Sequence, residues 1–88
     1  PETVVLHGVF PHPVQAQATL RYELAETGPV RIELYDLLGR RVQTLVNGEQ
    51  PAGRHETRID TGGLPSGVYF YRLSAGNQVQ TQRLVVHR

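Results

Sequence analysis

Nine glycines and six prolines are scattered along 88 residues, so a turn former interrupts the chain about every ten residues, and the pieces between them alternate apolar and polar with period two. No segment keeps apolar residues on the three-to-four spacing that a helix face requires. An all-β fold follows, and the punctuation divides it into seven strands. The first runs over residues 3–10, "TVVLHGVF", and is stopped by "PHP" at 11–13, because proline has no N–H to give to a ladder. The second, 18–25, sets Leu20, Tyr22 and Leu24 on one side and Arg21 and Glu23 on the other. The third, 30–35, repeats this with Val30, Ile32 and Leu34 against Arg31 and Glu33, and the two are expected to pair as a hairpin through "ETGP" at 26–29.

Further along, Asp36 suits the start of a type I turn and Gly39 the left-handed residue after it, leading into a short strand at 41–46. The connection 47–53, "NGEQPAG", holds four turn formers and is expected to be a mobile loop. Residues 54–60 alternate weakly, as an edge or near-edge strand would. The last two strands, 68–75 and 78–87, flank Gly76-Asn77, a two-residue hairpin signal. Seven antiparallel strands in under ninety residues predict an immunoglobulin-like β-sandwich, with a small barrel as the alternative. The length allows a single domain over 1–88. Its start at Pro1 and its lack of methionine read as a module cut from a longer secreted protein.

The same composition removes whole classes of function. Without cysteine there is no disulfide framework, thiol nucleophile or zinc ribbon. A net charge of +1 gives no field for nucleic acid, and no run of 18 apolar residues supports membrane insertion. The four histidines at 7, 12, 55 and 87 lack metal-ligand spacing, so no metal or cofactor is expected. "DTGG" at 60–63 shares three letters with the aspartic-protease motif but lacks its apolar lead-in and a second copy, and reads as a capped turn. The serines at 66 and 74 have no base at a triad spacing. No catalytic residue is assigned, and the chain is not expected to be an enzyme.

Binding residues must then be sought among the aromatics, three of which fall together in "VYFYRL" at 68–73. Parity sends Tyr69, Tyr71 and Leu73 to one side, as the core of a central strand, and Phe70 and Arg72 to the other. Phe70 is expected to be partly covered by a neighbour. Tyr35 sits on the face opposite Val30, Ile32 and Leu34, which makes it the candidate ring for stacking on a sugar.

The order of "FPHPVQAQATLRYEL", "GPVRIELYDLLGRRVQTL", "PAGRHETRID", "LPSGVYFYRLSAG" and "QTQRLVV" resembles the C-terminal sorting domain of the type IX secretion system (type A) and the related immunoglobulin-like domain of the flagellar hook-capping protein. The matching positions are Pro11, Pro13, Thr19, Tyr22 and Leu24, then Tyr35, Asp36, Gly39, Arg40 and Val42. They continue through Gly53, Asp60, Leu64, Gly67, Tyr69, Tyr71, Leu73 and Gly76 to Arg83 and Val85. Two departures stand out: the opening block reads "PHPV" where proline-asparagine-proline is usual, and Ile59 precedes the aspartate where tryptophan is common. Lysines frequent near the end are here arginines at 83 and 88. The resemblance implies a non-catalytic address label ending a larger enzyme or adhesin of a Bacteroidota-type bacterium. Its implied partners are the outer-membrane type IX machinery and a sortase-like peptidase. The implied destination is the cell surface or exterior, reached through the periplasm of a Gram-negative cell. In that reading the last strand is the recognition element, with Phe70, Arg72, Arg83, Leu84, Val85 and Val86 as the candidate surface. The competing reading is a structural or carbohydrate-binding immunoglobulin-like accessory module of an extracellular enzyme.

Overall fold

A computed structural model describes residues 4–87; Thr3, at the head of the predicted first strand, and the terminal Arg88 lie outside them. The strands are β1 (Val4–Phe10), β2 (Gln17–Leu24), β3 (Gly28–Tyr35), β4 (Arg41–Gln50), β5 (Gly53–Asp60), β6 (Gly67–Ala75) and β7 (Gln78–Val86). They form two antiparallel sheets, one ordered β1-β2-β5 and the other β4-β3-β6-β7. The period-two alternation is what makes this possible, since each strand buries one row and exposes the other. Leu20, Ile32, Leu34, Ile59, Leu73 and Leu84 are wholly buried between the sheets, with Tyr22, Tyr69 and Tyr71 beside them.

One expected pairing is wrong. β2 and β3 are consecutive but share no ladder: β2 lies between β1 and β5, with Leu20 opposite Thr57 and Tyr22 opposite His55, while β3 lies between β4 and β6. Alternation correctly turned both apolar rows inward, but two such rows can face each other across the core as readily as lie side by side. Residues 25–27 therefore carry the chain from one sheet to the other.

The expected loop at 47–53 is also shorter than the turn formers suggest. Asn47–Gln50 continue β4, with Gly28, Pro29 and Val30 opposite Gln50, Glu49 and Gly48. The Gln50 side chain accepts a hydrogen bond from the Tyr22 hydroxyl in the facing sheet, and Ala52 N–H donates to Thr27 Oγ1 at 2.9 Å. Only Pro51 and Ala52 remain as the connection.

The predicted turn at Asp36 forms as expected. Gly39 has φ +82°, its N–H donates to the Asp36 carbonyl at 3.0 Å, and Asp36 Oδ1 accepts from the N–H groups of Leu38 and Arg40, both at 2.9 Å. The "DTGG" segment is likewise a turn, with Gly62 N–H donating to Asp60 Oδ1 at 2.9 Å. β5 is an edge strand and β6 an internal one, as their patterns foretold.

The free edge of β7 is managed by the segment following β1. Val14 forms a parallel bridge to Val86: Val14 N–H donates to the Val85 carbonyl at 2.9 Å and His87 N–H to the Val14 carbonyl at 2.8 Å. Val85 N–H donates to His12 Nε2 at 3.1 Å, a role open to an imidazole whose proton is on Nδ1. An asparagine carbonyl oxygen could accept the same bond, so the departure from proline-asparagine-proline preserves an acceptor. His12→Asn should therefore leave stability unchanged in urea titrations, while His12→Leu should lower it by about 1 kcal/mol.

Candidate functional site

Register decides which side chains meet on the outer face of the four-stranded sheet. Across one row lie Arg41, Tyr35, Phe70 and Arg83; across the next lie Thr44, Glu33, Arg72 and Thr81. Arg31 stands one row further, beside Ser74. With neighbouring strands about 4.8 Å apart, Arg41 and Arg83 are about 14 Å apart, and the other arginines fall between or next to them.

Glu33 sits at the centre, only 8% exposed despite pointing away from the core. Tyr35 Oη donates to its Oε1 at 2.7 Å and Arg41 Nη1 to its Oε2 at 3.1 Å. The hydrogen bond from Tyr35, then that from Arg41, with Arg31 nearby, hold its carboxyl below the usual range against the opposing effect of burial. Arg72 lies over the Tyr35 ring, its guanidinium carbon 4.6 Å from the centroid. Among the described residues, Arg31, Arg72 and Arg83 make no ion pair with a carboxylate.

The outer face of the three-stranded sheet contrasts with this. Arg21 pairs with Glu56 at 2.9 Å and Arg54 with Glu23 at 3.1 Å, and His7 reaches Glu23 at 2.7 Å. Arg58 is the arginine left without an ion pair there among the described residues, but Arg21, Arg54 and Arg58 are balanced in number by Glu23, Glu56 and Asp60; on the four-stranded face cations exceed carboxylates.

Of the residues expected to form a recognition surface, Phe70, Arg72, Arg83 and Val85 are at least partly exposed on this face. Leu84 and Val86 are corrections: both are buried, at 0% and 1% exposure, because the parity that turns Arg83 and Val85 outward turns them into the core. Phe70 is half covered, with Arg83 opposite it on one side and Tyr35 on the other. The Tyr35 ring expected to stack on a sugar has one face beneath Arg72 and its hydroxyl committed to Glu33. A shallow hollow of about 290 Å³ lies beside Tyr35, Phe70, Arg72 and Thr81.

Sequence reasoning did not gather Arg31, Glu33 and Arg41 into the same site. Their outward parity was readable in "VRIELY", but their meeting with β6 and β7 depends on register. It also passed over Leu37 and Leu38, which stand 68% and 77% exposed at the tip of the Asp36 turn. Among the described residues no group of three or more histidine or carboxylate side chains is gathered as a metal site needs. His55 is instead stacked on Tyr22 with centroids 5.3 Å apart and hydrogen-bonded to the Pro51 carbonyl at 2.6 Å.

A family model described as "Secretion system C-terminal sorting domain" matches residues 8–87, from the bulge in β1 to the end of β7. The chain belongs to that family. A search of the curated proteins finds no match. This sorting domain thus marks a parent protein as secreted or surface-exposed, and its family is in general non-catalytic.

Proposed function

We propose that this sorting domain is a non-catalytic signal that directs a larger secreted protein through the type IX translocon to the cell surface or exterior. The match of the sorting-domain family over nearly the whole chain carries the reading. Its route crosses the periplasm, and its partners are the outer-membrane machinery and a sortase-like peptidase. The upstream enzyme or adhesin joins before Val4, which is tied to the Gln78 and Gln80 side chains near the β6–β7 turn. The end of β7 and the Asp36 turn lie at the opposite pole. Cargo leaving at the first pole keeps the outer face of the four-stranded sheet open, with Phe70, Arg72, Arg83 and Val85 available for recognition.

A fusion of the 88 residues to a periplasm-exported reporter tests this in a host that possesses the translocon. The reporter is expected at the surface or in the medium. Retention in the periplasm, with the fusion intact and folded, would refute the sorting role.

A further inference from the structure

We infer that the outer face of the four-stranded sheet is a docking surface for an acidic protein surface, recognised through Arg31, Arg41, Arg72 and Arg83 around the Tyr35–Phe70 pair. This rests on the sorting reading for its biological setting and adds the chemistry of the partner. The first argument is charge. The arginines lie on adjoining strands, and the carboxylates sharing their face are the enclosed Glu33 and, at the far end of β4, Glu49. Glu33 already accepts from Tyr35 and Arg41, so the planar donors of Arg31, Arg72 and Arg83 remain for carboxylates on another molecule.

The second argument concerns which anion fits. A sugar polymer would use open aromatic faces, yet Arg72 covers one face of Tyr35 at 4.6 Å, and Phe70 is half covered by its neighbours. What remains is a flat sheet surface combining arginine, tyrosine and phenylalanine with partly exposed Val68 and Val85. Arginine and aromatic residues are enriched where proteins bind proteins. The opposite sheet carries Arg21, Arg54 and Arg58 but does not qualify, because Arg21 and Arg54 are paired with Glu56 and Glu23 and the exposed Asp60 shares the outward row of β5 with Arg58.

Two measurements on the complete chain test this. In the first, the probes are an extended peptide of alternating glutamate and serine, a serine-glycine peptide of the same length, and polygalacturonate, with binding sites mapped by amide NMR shifts. The acidic peptide is expected to perturb β3, β6 and β7, and to bind roughly tenfold more weakly when salt rises from about 50 mM to about 300 mM. The double variant Arg72→Ser/Arg83→Ser should lose that binding, while Arg54→Ser/Arg58→Ser on the other sheet should keep it. Thermal melts confirm that both fold. No binding at low salt, equal loss in both variants, or saturation of the face by polygalacturonate alone would overturn the inference.

The second measurement places the same variants in the reporter fusion. Delivery lost only in Arg72→Ser/Arg83→Ser supports the inference. Delivery unchanged in both overturns it while leaving the sorting role intact. If the unmodified fusion is not delivered, the sorting role fails, and the peptide titration alone decides whether the face binds acidic protein.

Discussion

Leu73→Ala should be among the most destabilising single truncations in this domain, with a loss of about 2–5 kcal/mol. Leu73 is fully buried on β6, facing Ile32 across one ladder and Gln80 across the other. The side chain removed lies between two sheets that each depend on the other for burial. Neither sheet has a second core to fall back on, and a domain of 88 residues has about 4–13 kcal/mol of stability in total. The variant would thus forfeit a large share of it. For a domain of this size each 1 kcal/mol shifts the melting midpoint by about 4–8 °C, so a fall of at least about 8 °C is expected. Leu38→Ala is the internal control. The same atoms are deleted from a side chain 77% exposed at the Asp36 turn, and the change in stability should stay within about 0.5 kcal/mol. Urea titrations of the two variants would contradict this packing of β6 if their midpoints moved together.

The inward row of β6 could be foreseen because its sequence alternates without interruption. Val68 and Phe70 on one parity and Tyr69, Tyr71 and Leu73 on the other leave little doubt over which row is larger and more apolar. The turns at Asp36 and at Gly76-Asn77 were equally readable, since a left-handed residue and a two-residue loop need particular side chains. Partner choice was not readable in this way. Alternation states which face of β2 is buried but says nothing of whether β3 lies beside it or across from it. That choice rests on the combined pairing of β2 with β1 and with β5, a strand some thirty residues away in the chain. The error at 47–53 has a related cause: glycine, asparagine and proline favour turns locally, yet Asn47–Gln50 gain ladder bonds to β3 that no local rule counts.

The candidate face shows the same division between parity and register. Parity set Phe70 and Arg72 outward, and would have set Arg83 outward and Leu84 and Val86 inward had it been applied to β7 as it was to β6. The clustering of arginines from β3, β4, β6 and β7 is a product of register, and bulges after Ile32 and Leu34 shift the β4 partners by a residue each. Those shifts bring Arg41 beside Tyr35 and within reach of Glu33. A net charge of +1 hides the result, because it sums the whole chain, and carboxylates away from this face, such as the exposed Glu26 between β2 and β3, offset its cations.

Glu33→Gln should separate the two roles of that face. Glutamine can still accept from the Tyr35 hydroxyl, but the anion facing Arg41 and Arg31 is gone, and the arginines repel one another across the sheet. A loss of about 1–3 kcal/mol at neutral pH is expected. Glu56→Gln, which breaks the exposed pair with Arg21, should cost under about 1 kcal/mol. The pH dependence has a definite sign. The carboxyl of Glu33 is lowered in the folded domain, first by Tyr35 and then by Arg41. Its contribution is complete above the ordinary glutamate value and fades as the pH falls through the lower folded one. The stability gap between the unmodified domain and Glu33→Gln should accordingly be constant above the ordinary glutamate range and shrink as the pH falls below it; a gap that held or widened would mean that the charge of Glu33 is not what stabilises it. Removing this carboxylate also raises the cation excess of the face. The less stable variant should therefore bind the acidic peptide more tightly at low salt. Weaker binding would mean that Glu33 serves to hold the arginines in position, and that neutralising them is secondary.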